Sequence, residues 1–291
     1  MIKRWFNEYK SSLKMVEVEE ILDLVFYRPL AFIVVKILYR TNLTPNQITF
    51  AAIIWAVIGA VLFVKEYVIL AGIFFILYDV FDCADGMVAR LKKNGTPIGR
   101  VVDGFADYIA TGAAYLAIGF GFAGHSSHPQ FYWILTIAAA ASNIFHAVSL
   151  DYYRNRFLDY AFDRNSLLGD DLAEHLEAYN DIKDKPGNYF AKLLYKIYFV
   201  YSKIQLKLTV KQTDNVGKIY DKKDFLERNK FILRLWTFIG PTTELTFFII
   251  TAMTGTIEYY LWGMVTFLNI YAILLHITQF HINSITDKAA Q

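Results

Sequence analysis

Residues 79–107 read DVFDCADGMVAR, then LKKNGTPI, then GRVVDGFAD, and the reading of this stretch decides the fold. Five carboxylates, Asp79, Asp82, Asp85, Asp103 and Asp107, stand among sequence that is otherwise strongly apolar. Charge inside a bilayer is expensive and tends to be retained there for function. If Val68 to Arg90 is one helix, its length at 1.5 Å per residue is roughly 34 Å, enough to cross a hydrocarbon layer of about 30 Å. On that helix Asp82, Asp85, Gly86 and Ala89 share one face, being three and four residues apart. Gly99, Asp103 and Asp107 recur every four residues and share a face of the next helix. Two membrane helices therefore bring their carboxylates to one mouth.

The whole chain agrees. Its 291 residues are 55% hydrophobic and 17% aromatic, with only 19% charged, too apolar for a typical soluble domain of this size. The net charge of +2 says little; its distribution says more. The one cysteine, Cys83, excludes an intrachain disulfide. The first eighteen residues hold no long apolar run, so no cleavable signal peptide is expected.

Outward from the carboxylates, the spacing predicts six transmembrane helices in an all-α integral membrane protein. They run from about Asn46 to Val64, Val68 to Arg90, Gly99 to Phe122, Phe131 to Leu150, Phe231 to Thr251 and Tyr260 to Phe280. Thr44 suits the N-cap of the first and Pro45 its first position. Residues 1–45 carry recurrent charges (Glu17, Glu19, Glu20, Asp23, Arg28, Lys36), and Pro29 interrupts them. They read as N-terminal amphipathic helices on the membrane surface, with a short soluble helix as the competing reading. The divisions are thus 1–45 interfacial, 46–151 spans one to four, 152–230 a cytoplasmic helical insertion, 231–282 spans five and six, and 283–291 a tail. Within the insertion, Lys192, Lys196, Lys203 and Lys207 fall within roughly 60° on a helical projection. That stripe suits a helix in the headgroup layer; a soluble hairpin packing on itself competes. Lysine and arginine concentrate in the N-terminal region, at Lys92-Lys93 and in the insertion. The opposite loops hold one basic residue between them. Both termini and the carboxylate mouth are therefore expected to be cytoplasmic.

Converging aspartates repel unless protons or cations sit among them. Hard divalent ions prefer carboxylate oxygen, and Mg²⁺ commonly works with substrate phosphates. Two ions could bridge a diphosphate, while a carboxylate not committed to metal accepts a proton from an attacking hydroxyl. Gly86 and Ala89 leave a bare strip of backbone against which a flat nucleobase could lie.

The pattern Asp82-x-x-Asp85-Gly86-x-x-Ala89-Arg90, eight residues, Gly99-x-x-x-Asp103-x-x-x-Asp107 resembles the signature of the CDP-alcohol phosphotransferase family at every fixed position. Pro45-Asn46 to Thr49 resembles that family's element before the first span. The resemblance implies a six-span core covering most of the chain. It implies Mg²⁺ or Mn²⁺, two ions, held by Asp82, Asp85, Asp103 and Asp107, with Asp107 also the catalytic base. Gly86, Ala89 and Arg90 would then line the nucleotide pocket, and Asn46 and Thr49 would lie near the diphosphate. Asp79 is outside the pattern, a hydrogen-bonding neighbour and not a ligand. The implied reaction is direct displacement at the β-phosphorus of a CDP-alcohol by a hydroxyl, releasing CMP and making a phospholipid. The favoured donor is CDP-diacylglycerol or a related CDP-lipid, with inositol phosphate, glycerol phosphate or serine as acceptor; a CDP-aminoalcohol with a lipid alcohol is the alternative. The implied partners are these two substrates and the bilayer, with no nucleic acid. The family is often dimeric, which makes a homodimer an expectation. Cys83 is a small buried thiol and no nucleophile.

Polar residues elsewhere in the spans, Asn143, His146, Thr242, Thr243, Glu244, Asn269 and His276, are expected to face the bundle interior. Glu244, Arg234 and Arg154 are candidates for holding the acceptor; side-chain pairing and a positive-inside flank are the plainer readings. Two other classes of function are weaker. An intramembrane prenyltransferase needs a second, separated aspartate-rich element, which the sequence lacks. A cation transporter predicts carboxylates staggered through the whole membrane, whereas these cluster at one mouth.

Overall fold

The computed structural model describes residues 2–13, 15–162, 169–210 and 222–289. Lys14, two segments of the insertion (163–168 and 211–221) and the end of the tail lie outside the described residues. All regular structure among the described residues is helical. Four helical stretches, Pro45–Val64, Pro97–His125, Pro129–Phe162 and Ile257–Ser284, are long and apolar enough to cross a membrane.

Helix α1 (Ile2–Ser12) and helix α2 (Arg28–Leu38) precede α3 (Pro45–Val64). Gln47 Oε1 accepts from the Thr44 N–H (2.9 Å), and Pro45 occupies the first turn, so α3 starts where cap and proline chemistry put it. A short turn with Glu66 at φ 66° leads into α4 (Val68–Lys92), which ends on Lys93 in the left-handed region. Helix α5 (Pro97–Ala117) is capped by Thr96, whose hydroxyl accepts from the Gly99 N–H (3.1 Å).

Helices α3 and α4 approach closely because the contact is built from small residues. Ala52 and Ala56 are buried in one cluster with Ala71 and Phe75, and Gly59 faces those two directly. A Cβ on Gly59 would stand 3.1 Å from the Phe75 ring and 3.2 Å from the Ala71 carbonyl. Lipid tails are as apolar as side chains, so close van der Waals fit of this kind holds membrane helices together.

Helix α6 (Pro129–Phe162) continues as one rod past the expected end of the fourth span at Leu150. The expected fifth span is not one helix, and it is not among these four stretches. Helix α9 (Lys222–Trp236) passes into a 3₁₀ turn, Thr237–Ile239, and α10 (Pro241–Met253) restarts after Gly240. Pro241 has no N–H with which to continue the ladder, which is the physical reason for the break. Helix α11 (Ile257–Trp262) and α12 (Asn269–Ala289) are joined through a π-helical segment, Gly263–Leu268.

The N-terminal region departs from the surface-helix expectation. Tyr27, Ala31, Phe32 and Val35 are buried against Val80, Cys83, Ala84 and Met87 of α4. Its charges are buried as well: Glu19, Glu20, Asp23 and Arg28 are each under a tenth exposed. They tolerate burial because they are partnered. Arg28 pairs with Glu19 at 2.5 Å, Glu20 accepts from Thr242 and Thr243, and Asp23 accepts from the Thr242 hydroxyl. Pro29 does not interrupt the helix either. A π-helical segment, Asp23–Tyr27, runs directly into α2 and absorbs the proline near its start.

In the insertion, α7 (Gly169–Lys183) and α8 (Tyr189–Val210) pack on one another and on the first turns of α5. Leu194, Tyr195 and Tyr179 meet Ile98, Val101 and Phe105 there.

Candidate active site

The three- and four-residue spacing on α4 and the four-residue spacing on α5 bring three of the carboxylates together. One carboxylate oxygen each from Asp82, Asp85 and Asp103 lies within 4.8 Å of the others. Ligands on opposite sides of an ion held at about 2.1 Å stand roughly 4 Å apart, so the set is of the right size for a small divalent cation. Asp82 Oδ1 is buried and has no hydrogen-bond partner among the described residues. An unsatisfied buried carboxylate oxygen beside two more carboxylates is the donor set a hard cation takes.

Asp107 lies beside this trio, one helical turn along α5 from Asp103. It is exposed, and its Oδ1 accepts from the Tyr78 hydroxyl at 3.0 Å. Asp85 accepts from the Thr49 hydroxyl, which ties the start of α3 to the cluster.

A cleft of about 270 Å³ opens beside the carboxylates. Asn46, Thr49, Asp85, Gly86, Ala89 and Arg90 line it, together with Asp103 and Gly99 from α5. The glycines have local reasons. A Cβ at Gly99 would lie 3.0 Å from Asn46 Oδ1, and one at Gly86 would lie 3.3 Å from the Arg90 guanidinium. Arg90 is held from behind: its Nε donates to the Ser12 carbonyl at 2.5 Å, the end of α1. Arg100, which the sequence reading passed over, also lines the cleft and pairs with Glu174 of α7. Its position next to Gly99 was the available signal; its partner, more than seventy residues away, was not.

A second carboxylate group lies behind the first. Asp23, Asp79 and Cys83, all buried, bring ligand atoms within 4.8 Å of one another. The Cys83 thiol donates to Asp23 Oδ1 at 3.7 Å, and Asp79 Oδ2 has no hydrogen-bond partner among the described residues. Asp79 thus leans towards the N-terminal segment; its neighbour Asp23 had been read as a surface charge.

The three residues considered for the acceptor are not among those lining the cleft. Glu244 is 1% exposed and accepts from His146 and Asn143 at 2.5 Å each. Arg234 donates to the carbonyls of Glu19 and Val16, both at 2.7 Å, and Arg154 pairs with Asp151. His146 also reaches Asn269 at 3.0 Å, so Asn143, His146, Glu244 and Asn269 form one interior network across α6, α10 and α12.

Fold and site together define a helical membrane protein whose carboxylate cluster borders an open polar cleft. A family model described as CDP-alcohol phosphatidyltransferase matches residues 42–156, the region that builds cluster and cleft. Two curated relatives are phosphatidylinositol phosphate synthases. The one from Corynebacterium glutamicum is 35% identical over 86 residues, covering 29% of this chain and 39% of its own. That from Mycobacteroides abscessus is 32% identical over 82 residues, covering 28% of this chain and 37% of its own. The chain thus spans under two fifths of the length of the relatives it matches.

Proposed function

We propose that this protein transfers a substituted phosphate from a CDP-alcohol to a hydroxyl acceptor, with release of CMP, in the synthesis of a phospholipid. The observation that carries this reading is the three-carboxylate cluster opening on a cleft lined by the glycine, alanine and arginine of the same motif. The donor is a CDP-lipid such as CDP-diacylglycerol, and the acceptor a polar alcohol; the names of the two relatives favour inositol phosphate among the candidates. A CDP-aminoalcohol donating to a lipid alcohol is the second reading.

Asp82, Asp85 and Asp103 would hold Mg²⁺ or Mn²⁺, which, when bound, neutralises the diphosphate and the departing phosphate. Gly86 and Ala89 give the nucleotide a flat bed, and Arg90 offers its guanidinium to a phosphate. Thr49 keeps the Asp85 carboxylate oriented. Asp107, held by Tyr78, takes the proton from the acceptor hydroxyl as that oxygen attacks phosphorus. The acceptor oxygen gains the bond to the β-phosphorus, the bond to the CMP oxygen breaks, and CMP carries away that electron pair.

The test is CMP release by purified protein with Mg²⁺ or Mn²⁺. CDP-diacylglycerol and CDP-aminoalcohols would each be offered with inositol phosphate, glycerol phosphate, serine and a diacylglycerol. Turnover of CDP-diacylglycerol with a polar acceptor is expected. CMP from none of the pairs would overturn the reading, and CMP from CDP-aminoalcohols alone would select the second.

A further inference from the structure

Helix α8 carries three stripes along its length. Leu194 and Tyr195 are buried against α7 and the first turns of α5. Tyr189, Phe190, Leu193, Ile197 and Val200 are exposed, by 43% to 75%. At about 100° per residue these five occupy an arc of roughly 100° on the side away from the packed stripe. Lys192, Lys196 and Lys203 fill an arc of about 40° along one edge of it; the first is half-buried and the other two are exposed.

An exposed apolar stripe with a cationic border is the arrangement of a helix lying in the headgroup layer. Its height is set independently. The stretch from Pro97 to His125 is long and apolar enough to cross the membrane, and α8 packs across the first turns of that stretch. Helix α8 therefore lies where the spanning helix leaves the bilayer, on the side where the cleft opens. Lysine ammonium groups on long stems suit phosphate-level anions while the apolar stripe sits below them.

We propose that the outer face of α8 beds into an anionic lipid surface, with Leu193, Ile197 and Val200 beneath the headgroups and Lys192, Lys196 and Lys203 at their level. This fixes α7 against α5 and so keeps Glu174 on Arg100 at the mouth of the cleft. The headgroup and hairpin readings of the sequence are then two faces of one helix.

The experiment is spin labelling of the full chain in nanodiscs. Cys83, the chain's one cysteine, is buried, so labels can be directed to cysteines introduced singly at Leu193, Ile197, Val200 and Lys196. In phosphatidylcholine with phosphatidylglycerol, labels at 193, 197 and 200 are expected to relax with oxygen and not with an aqueous nickel chelate, and the label at 196 to read at phosphate depth. Replacing phosphatidylglycerol with phosphatidylcholine, or combining K192Q with K203Q, should raise the first three toward water. The proposal is overturned if all positions contact the nickel chelate as freely as a label at Glu174. It is overturned equally by dipolar broadening between labels at 193, which would seat a second copy on the face. Labels at 193, 197 and 200 that are immobile and insensitive to lipid charge, showing the face covered by the chain itself, also overturn it.

Discussion

Arg90 illustrates how one side chain of the cleft is positioned from a distance. Its guanidinium lies against Gly86, and its Nε is fixed by the carbonyl of Ser12 at the C-terminal end of α1, the end at which a helix favours a cation. Lysine keeps the charge but lacks the fork that satisfies both sides at once. A hydrogen bond to a charged group contributes about 1.5–3 kcal/mol. Arg90→Lys is therefore expected to raise the KM for the CDP-donor about tenfold or more, with kcat less affected; steady-state CMP release gives both. Asp107 has the opposite signature. It is assigned to proton transfer, so Asp107→Asn should lower kcat by about 10²–10⁴ and leave donor binding in place, as measured by CMP release beside equilibrium binding of the donor. CMP release unaffected by this substitution would sink the assignment of the base.

At the scale of elements, the break between α9 and α10 gains a partner from the N-terminal segment. Glu20 accepts from the Thr243 N–H and hydroxyl, both at 2.9 Å, and from the Thr242 N–H at 3.3 Å, so it closes the start of α10. Burial, with the charge of Asp23 added, pushes the Glu20 carboxyl up to about 8; Arg154 of α6 and the Thr243 donors pull the other way. Asp23 is raised too, chiefly by burial, although Arg28 and the Thr242 hydroxyl pull it down. An unfolded glutamate titrates at ~4.3. The folded state holds the proton over the interval between, so the stability this site contributes is whole below that pH. It declines as pH rises and is gone once pH passes about 8. Thermal midpoints in detergent should accordingly fall as pH rises from ~4.3 towards about 8, and Glu20→Gln should flatten the fall. An equally steep fall in the variant would remove Glu20 as its cause.

For the whole molecule, polar contacts from distant segments help close the bundle. The N-terminal segment joins α4 to the break between α9 and α10 through Arg90, Glu20 and Arg234. The interior network of His146 and Glu244 joins α6, α10 and α12. Sidedness can be tested directly. Cysteines at Lys93 and Glu177, on the expected cytoplasmic side, should resist a membrane-impermeant maleimide in intact cells and react after lysis. Cysteines at Glu66 and Ser127 should react before lysis. The reverse pattern would invert the orientation argued from the lysine and arginine distribution.

Sequence alone determined what depends on local period and local chemistry. The helical character, the start of α3 at Pro45, the shared faces of Asp82 with Asp85 and of Gly99 with Asp103, and the carboxylate cluster follow from cap chemistry and from spacings of three and four on apolar helices. Only the tertiary structure decided which charges are partnered. Glu19, Glu20, Asp23 and Arg28 look like a wetted face because a one-dimensional pattern counts charges without their partners. The partners of Glu20 and Asp23, Thr242 and Thr243, arrive from more than two hundred residues away. The same holds for Arg90 with Ser12 and Arg100 with Glu174, and for Glu244, which is closed inside the bundle and not exposed at the cleft. A buried charge is tolerable when long-range packing delivers its counterpart, and sequence spacing carries no information about that delivery.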